Sequence, residues 1–134
     1  KRLIAMNRLR KKVTMVGTLS DVEMKNRFLK SSVFVCASVV ENSPNSVGEA
    51  MLLGVPVVAA NAGGIPDMIT DGMDGVIFDN MDYKKLAEAI LQMWDEPVIA
   101  AVYGDNASKR AAKTHNADTN YKRLLEIYDA ICRK

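Results

Sequence analysis

Cysteine is scarce in this chain of 134 residues: Cys36 lies in an apolar run and Cys132 near the end. Neither stands at metal-ligand spacing, and a chain of this size has no need of a disulfide framework. Cys36 reads as a small buried hydrophobe, and the pair points to a reducing, cytoplasmic setting. An excess of either charge is lacking too. Eighteen Lys and Arg against sixteen Asp and Glu leave a net charge of +2, too little to imply nucleic acid or an anionic membrane as partner. The basic cluster Arg8, Arg10, Lys11 and Lys12 has no aromatic residues among it, so it reads as the solvated face of a helix. No run is long enough to span a bilayer. The longest uncharged stretch, Ala50 to Pro66, holds two prolines and three glycines, and no transmembrane segment is expected. Internal repeats and low-complexity segments are absent as well.

What remains is ordinary globular composition, 49% hydrophobic and 25% charged, which argues against disorder. Residues 1–134 fit a single domain that buries most of its apolar surface. The opening "KRLIAMNRLRKK" has no initiator methionine and begins inside an amphipathic pattern. The chain is therefore expected to be a piece of a longer protein.

Four short runs rich in Val and Ile stand out: "VTMVG" from Val13, "VFVCAS" from Val33, "VPVVAA" from Val55 and "GVIFD" from Gly75. Near-continuous apolar runs suit strands covered on both faces, as in a parallel sheet. Segments with helical spacing alternate with them. One spans Asp21 to Lys30, with Ser20 and Glu23 in a capping-box pattern; others are Ser46 to Leu53 and the short Pro66 to Ile69. Leu86, Ile90, Met93 and Trp94, then Tyr121, Leu124, Leu125, Tyr128 and Ile131, recur at three-to-four spacing. Both sets predict amphipathic helices on the sheet, with Trp94 in the core. Pro97 ends the first of them or starts the next. The alternation predicts an α/β domain, a doubly wound parallel sheet with helices on both faces. Ligands of such sheets bind beyond the carboxyl ends of the strands, where strand order reverses.

The stretch "ENSPNSVGEAMLLGVPVVAANAGG", Glu41 to Gly64, lies across two of those ends. Ser46 and Glu49 match a capping box, so Glu49 can be explained as a helix cap. A second reading competes with it. The amides of Ser46, Val47 and Gly48 would stand at a helix N-terminus, a favourable place for phosphate. Gly48 costs a helix about 1 kcal/mol relative to alanine, and close approach by a ligand would account for it. Glu41, five residues before Ser46, suits hydroxyl groups, since an ionised carboxylate only accepts hydrogen bonds. Phosphate flanked by hydroxyls describes a nucleoside diphosphate sugar. Gly63 and Gly64 allow a tight turn and would form a second backbone wall beside this loop.

The blocks "ENSPNSVGEAM", "GVPVVA" and "GGIPD", with the upstream "VTMVGTLSDVEMKNRFLKSSVFVCAS", resemble the signature of family 4 glycosyltransferases, retaining enzymes of the GT-B fold. The resemblance implies a Rossmann-like, C-terminal half of a GT-B fold that binds a UDP-, GDP- or ADP-sugar and needs no cofactor or metal. It implies that Glu41 contacts hydroxyls of the transferred sugar and Glu49 holds the ribose. Asn42, Ser43, Pro44, Asn45, Ser46 and Val47 would line the sugar and diphosphate, and Gly17 to Leu19 would lie near the base. An arginine, a lysine and an acceptor-binding N-terminal domain would precede this chain. The acceptor would be a sugar, a lipid-linked sugar or a polysaccharide, with peripheral membrane association of the longer protein left open. Departures are mild: Asp67 stands for a more usual Glu, Asn61 for a small Ser or Thr, and Ala37-Ser38 for a Pro-Ser pair. Two rival readings are a non-catalytic nucleotide-sugar-binding module and a flavodoxin-like regulatory domain. The second lacks its paired acids and phosphoacceptor aspartate, since neither "TMVGTLS" nor "VCASVVE" supplies them.

Overall fold

The computed structural model describes residues 2–133. Three strands, β1 (Phe34–Cys36), β2 (Val57–Ala60) and β3 (Val76–Phe78), form a parallel sheet in that order. Phe34 pairs with Val57 and Cys36 with Ala59; Val58 then pairs with Val76 and Ala60 with Phe78. Among the described residues the order runs straight through, so the expected reversal does not occur within them. β2 is buried along its whole length, which an all-apolar VVAA strand needs and which means both of its faces are covered. Cys36 is buried, as expected.

Three of the four apolar runs become strands. The fourth, Val13–Gly17, forms none and is exposed. A strand is defined by its partner, and no described residue pairs with this segment. The basic cluster is exposed as expected but not helical: α1 (Arg2–Met6) ends before it, and Arg8 takes a φ of 56°.

Helix α2 (Asp21–Phe28) opens with the expected capping box. The Ser20 amide and hydroxyl both donate to Glu23, at 2.8 and 2.7 Å, and these bonds hold the Glu23 carboxyl below its ordinary pKa. Helix α3 (Asn45–Leu52) buries Val47, Ala50 and Met51 against β1 and β2. It stops in a Schellman turn: Gly54 N–H donates to Met51 O at 2.9 Å and Val55 N–H to Ala50 O at 3.0 Å. Gly54 supplies the left-handed φ of 69° that this turn requires.

After the short α4 (Ile65–Met68) and β3 come α5 (Tyr83–Asp95) and α6 (Pro97–Thr114). Asp82 caps α5 by accepting from the amides of Lys84 and Lys85, each at 3.0 Å. Pro97 starts α6 at a first-turn position, where its missing N–H costs nothing. α5 packs on β2 and β3, and α6 on α3 and α5. Arg110 of α6 donates to Asp67 O at 2.8 Å and reaches Asp74 at 3.3 Å. Asp74 is 6% exposed, and its other oxygen accepts from Thr70 N–H at 2.6 Å. That pair holds the turn after α4 against α6.

Two expectations about the late helices fail. Trp94 is 69% exposed rather than core, because Ala89 and Met93 supply the buried face of α5 instead. Helix α7 (Ala117–Cys132) buries none of its residues, so its apolar stripe does not lie on the sheet.

The α3–α6 crossing is close. A Cβ on Gly104 of α6 would lie 2.2 Å from Gly54 O. Alanine is favoured over glycine in a helix by about 1 kcal/mol, but a backbone oxygen cannot rotate away. Gly104→Ala is expected to destabilise the chain by about 2 kcal/mol net, read as a lower urea midpoint at unchanged slope.

Candidate functional site

The loops after the three strands meet at one edge of the sheet. Asn80 Nδ2, after β3, donates to Val39 O at 2.8 Å in the loop after β1. Asn61 N–H, after β2, donates to Phe78 O at 2.8 Å. Gly64 N–H donates to Asn42 O at 2.6 Å, and Ser43 Oγ lies 3.5 Å from Met68 Sδ. Within this rim the glycine pair is indispensable. A Cβ on Gly63 would stand 1.5 Å from Glu41 O, and one on Gly64 would stand 2.2 Å from Asn42 O. Gly63 also takes a φ of 53°. The second backbone wall therefore touches the Glu41 loop directly. Asp79, farther along the rim, pairs with Lys85, and this bond raises the lysine's pKa.

The capping explanation of Glu49 does not hold. α3 begins at Asn45 with Pro44 as its N-cap, and no side chain caps it. Ser46 thus lies inside the helix, and Glu49, one turn in, is exposed. Glu41 is half-buried. Among the described residues neither carboxylate has a hydrogen-bond or ion-pair partner, and no buried polar side-chain atom is left unpaired. The Glu41 oxygens therefore open to solvent.

The expected amide cluster loses Val47 and gains Asn45. Val47 N–H donates to Pro44 O at 3.0 Å, and the Val47 side chain is fully buried. The first amides of the helix, those of Asn45 and Ser46, have no main-chain acceptor among the described residues. Asn42, Ser43 and Asn45 are exposed beside them, and Pro44 is buried beneath. Gly48 is explained by the protein itself. The His115 ring, just beyond α6, covers it, and a Cβ there would lie 2.5 Å from Nε2. His115 Nδ1 is 2.9 Å from Thr114 Oγ1. Nothing local in the sequence announces a contact between positions 48 and 115; it follows from the packing of α6 on α3.

Glu49 and Leu19 line the same pocket, about 520 Å³ in volume, between α2 and α3. Its lining includes the apolar Met24, Phe28 and Leu52 and the charged Asp21 and Lys25. Sequence reasoning named Gly17 to Leu19 for the base but passed over Asp21 and Lys25, whose spacing on α2 looks like that of any surface pair. Gly17 lies two residues before Leu19, with a φ of 71° and open space around it. Among the described residues no group of three or more His, Cys, Asp and Glu could hold a metal. Among the same residues no helix is long and apolar enough to cross a membrane.

The α-maltose-1-phosphate synthase of Mycobacterium tuberculosis is 32% identical over 108 residues, 76% of this chain and 28% of that protein. The D-inositol 3-phosphate glycosyltransferase of Corynebacterium kroppenstedtii is 36% identical over 86 residues, 64% of this chain and 19% of that one. The chain thus spans less than a third of the length of these curated relatives. Among solved structures, a sucrose-phosphate synthase from Thermosynechococcus elongatus superposes with a TM-score of 0.90. It shares 24% identity, over 98% of this chain and 33% of the other. Anabaena HepE in complex with UDP matches equally well, at 0.90 and 24%, over 96% and 35%. These likenesses show the fold, an α/β parallel sheet flanked by helices as in GT-B glycosyltransferases. The family profile of glycosyl transferases group 1 matches residues 1–110, and to that family the chain belongs.

Proposed function

We propose that this chain is the donor-binding part, from the C-terminal half, of a family 4 glycosyltransferase that transfers a sugar from a nucleoside diphosphate sugar with retention of configuration. One observation carries the reading. Glu41 and Glu49, both free of scaffold duties, flank in the chain the unpaired amides of Asn45 and Ser46, Glu41 in the loop before the helix and Glu49 one turn into it. Those amides suit the diphosphate, and each carboxylate suits hydroxyls. In this reading Glu41 faces the transferred sugar, Glu49 holds the ribose, and Gly17 and Leu19 border the base. Asn42 and Ser43 line the sugar, while Pro44, Val47, Gly63 and Gly64 fix the shape of the rim. The UDP and UDP-glucose complexes of the Anabaena structure concern that protein; they favour the same ligand class here.

Helical amides alone are little charge compensation for a diphosphate, so cations from elsewhere in a longer protein complete the site, and a further domain binds the acceptor. The chain alone then binds donor weakly and transfers nothing. No cofactor is needed, and the setting is cytoplasmic. Titration of the chain with UDP-, GDP- and ADP-sugars should shift the amide resonances of residues 17–20 and 41–48. Shifts confined to α7 would refute the donor site.

A further inference from the structure

The pocket that contains Leu19 and Glu49 has a polar side that the donor reading leaves unexplained. Asp21 and Lys25 lie four residues apart on one face of α2 and both line it. Asp and Lys at that spacing readily close into an ion pair, as Asp105 and Lys109 do on α6. Asp21 and Lys25 do not, and among the described residues neither side chain has another partner. The pocket therefore offers, side by side, a group that only accepts hydrogen bonds and a group that only donates them. Met24 and Phe28 line the same pocket and give it apolar surface that suits a flat ring.

The nucleobases differ on the edge such a pair would meet. Uracil and guanine carry a ring N–H next to a keto oxygen. Adenine carries a ring nitrogen acceptor next to an amino donor, the opposite order. We propose that Asp21 and Lys25 read this edge, Asp21 accepting from the ring N–H and Lys25 donating to the keto oxygen. The pocket then takes a nucleotide with a keto base, uracil or guanine, in preference to adenine. This rests on the assignment of Glu49 to the ribose, which places the base in the same pocket.

The test is calorimetric titration of the chain with UDP, GDP and ADP, together with amide-shift mapping. UDP or GDP should bind roughly five- to tenfold more tightly than ADP, a modest ratio because both side chains are solvent-exposed. Lys25→Met should narrow the ratio without abolishing it, because Asp21 still accepts from the ring N–H and faces adenine's acceptor nitrogen. Lys25→Glu, which repels the keto oxygen but accepts from the adenine amino group, should bring the three nucleotides close to equal. Both substitutions lie on an exposed helix face, and circular dichroism checks that α2 survives them. Equal affinities in the wild type, a preference for ADP, or a ratio unmoved in Lys25→Glu would overturn the base-reading assignment. The donor site would survive those results if residues 41–49 still shifted. If no nucleotide moved the amides of Leu19 or Glu49, both assignments would fall together.

Discussion

Gly63→Ala is expected to be among the most damaging single-methyl substitutions in the chain. The new Cβ would sit 1.5 Å from Glu41 O, inside the atom's own radius. A φ of 53° adds a left-handed strain of about 1–2 kcal/mol for any residue with a side chain. The obstacle is backbone, so no rotamer relieves it, and the two loops must part. Parting breaks the 2.6 Å bond from Gly64 N–H to Asn42 O. Together these costs come to about 3–4 kcal/mol, a large share of an ordinary domain's stability. For a chain of this size that corresponds to a melting temperature lower by roughly 10 °C or more. Calorimetry and denaturant titration read it directly. A loss under 1 kcal/mol would mean that the loops are not in backbone contact.

Substitution of the two free carboxylates should separate binding from transfer. On the proposed reading, Glu49→Ala, made in a longer protein that contains this domain, removes acceptors from the ribose, a part of the donor that does not change during reaction. That loses ground-state and transition-state binding equally, so KM for the donor should rise about tenfold with kcat nearly unchanged. On the same reading, Glu41→Ala removes a contact to the sugar whose ring distorts and gains charge as the bond to phosphate breaks. It should lower kcat by about 100-fold and move KM little. Neither change should affect folding, since neither carboxylate has a partner to lose. Wild-type kinetics in both variants would remove the pair from the site.

Much of the scaffold was legible because strand composition and burial agree. The runs at Val33, Val55 and Gly75 became β1, β2 and β3, and "SDVE" became a capped helix start. Val13 to Gly17 has similar composition and did not become a strand, because pairing depends on a neighbour that composition does not reveal. Periodicity likewise found the apolar stripes of α5 and α7 but not what lies against them. The expectations that Trp94 is core and that α7 lays its apolar stripe on the sheet fail for that reason. At the site, Glu41 and Glu49 stood out by spacing, and Gly63-Gly64 by the turn they permit. A two-residue shift of the N-cap of α3, from Ser46 to Pro44, separates a capping glutamate from a free one. His115 over Gly48, and the joint presence of Asp21, Lys25, Leu19 and Glu49 in one pocket, are tertiary facts with no local signature.

The main-chain lock between Gly64 and Asn42 has a bearing on how a ligand would be received. Two segments fastened through peptide groups, with no side chain interposed, have no soft joint about which either could swing alone. A guest arriving at that lip meets a surface already in its final shape and forfeits little freedom of the host on arrival. Any closing movement that accompanies capture must then be hinged elsewhere and carry this lip along as a single piece.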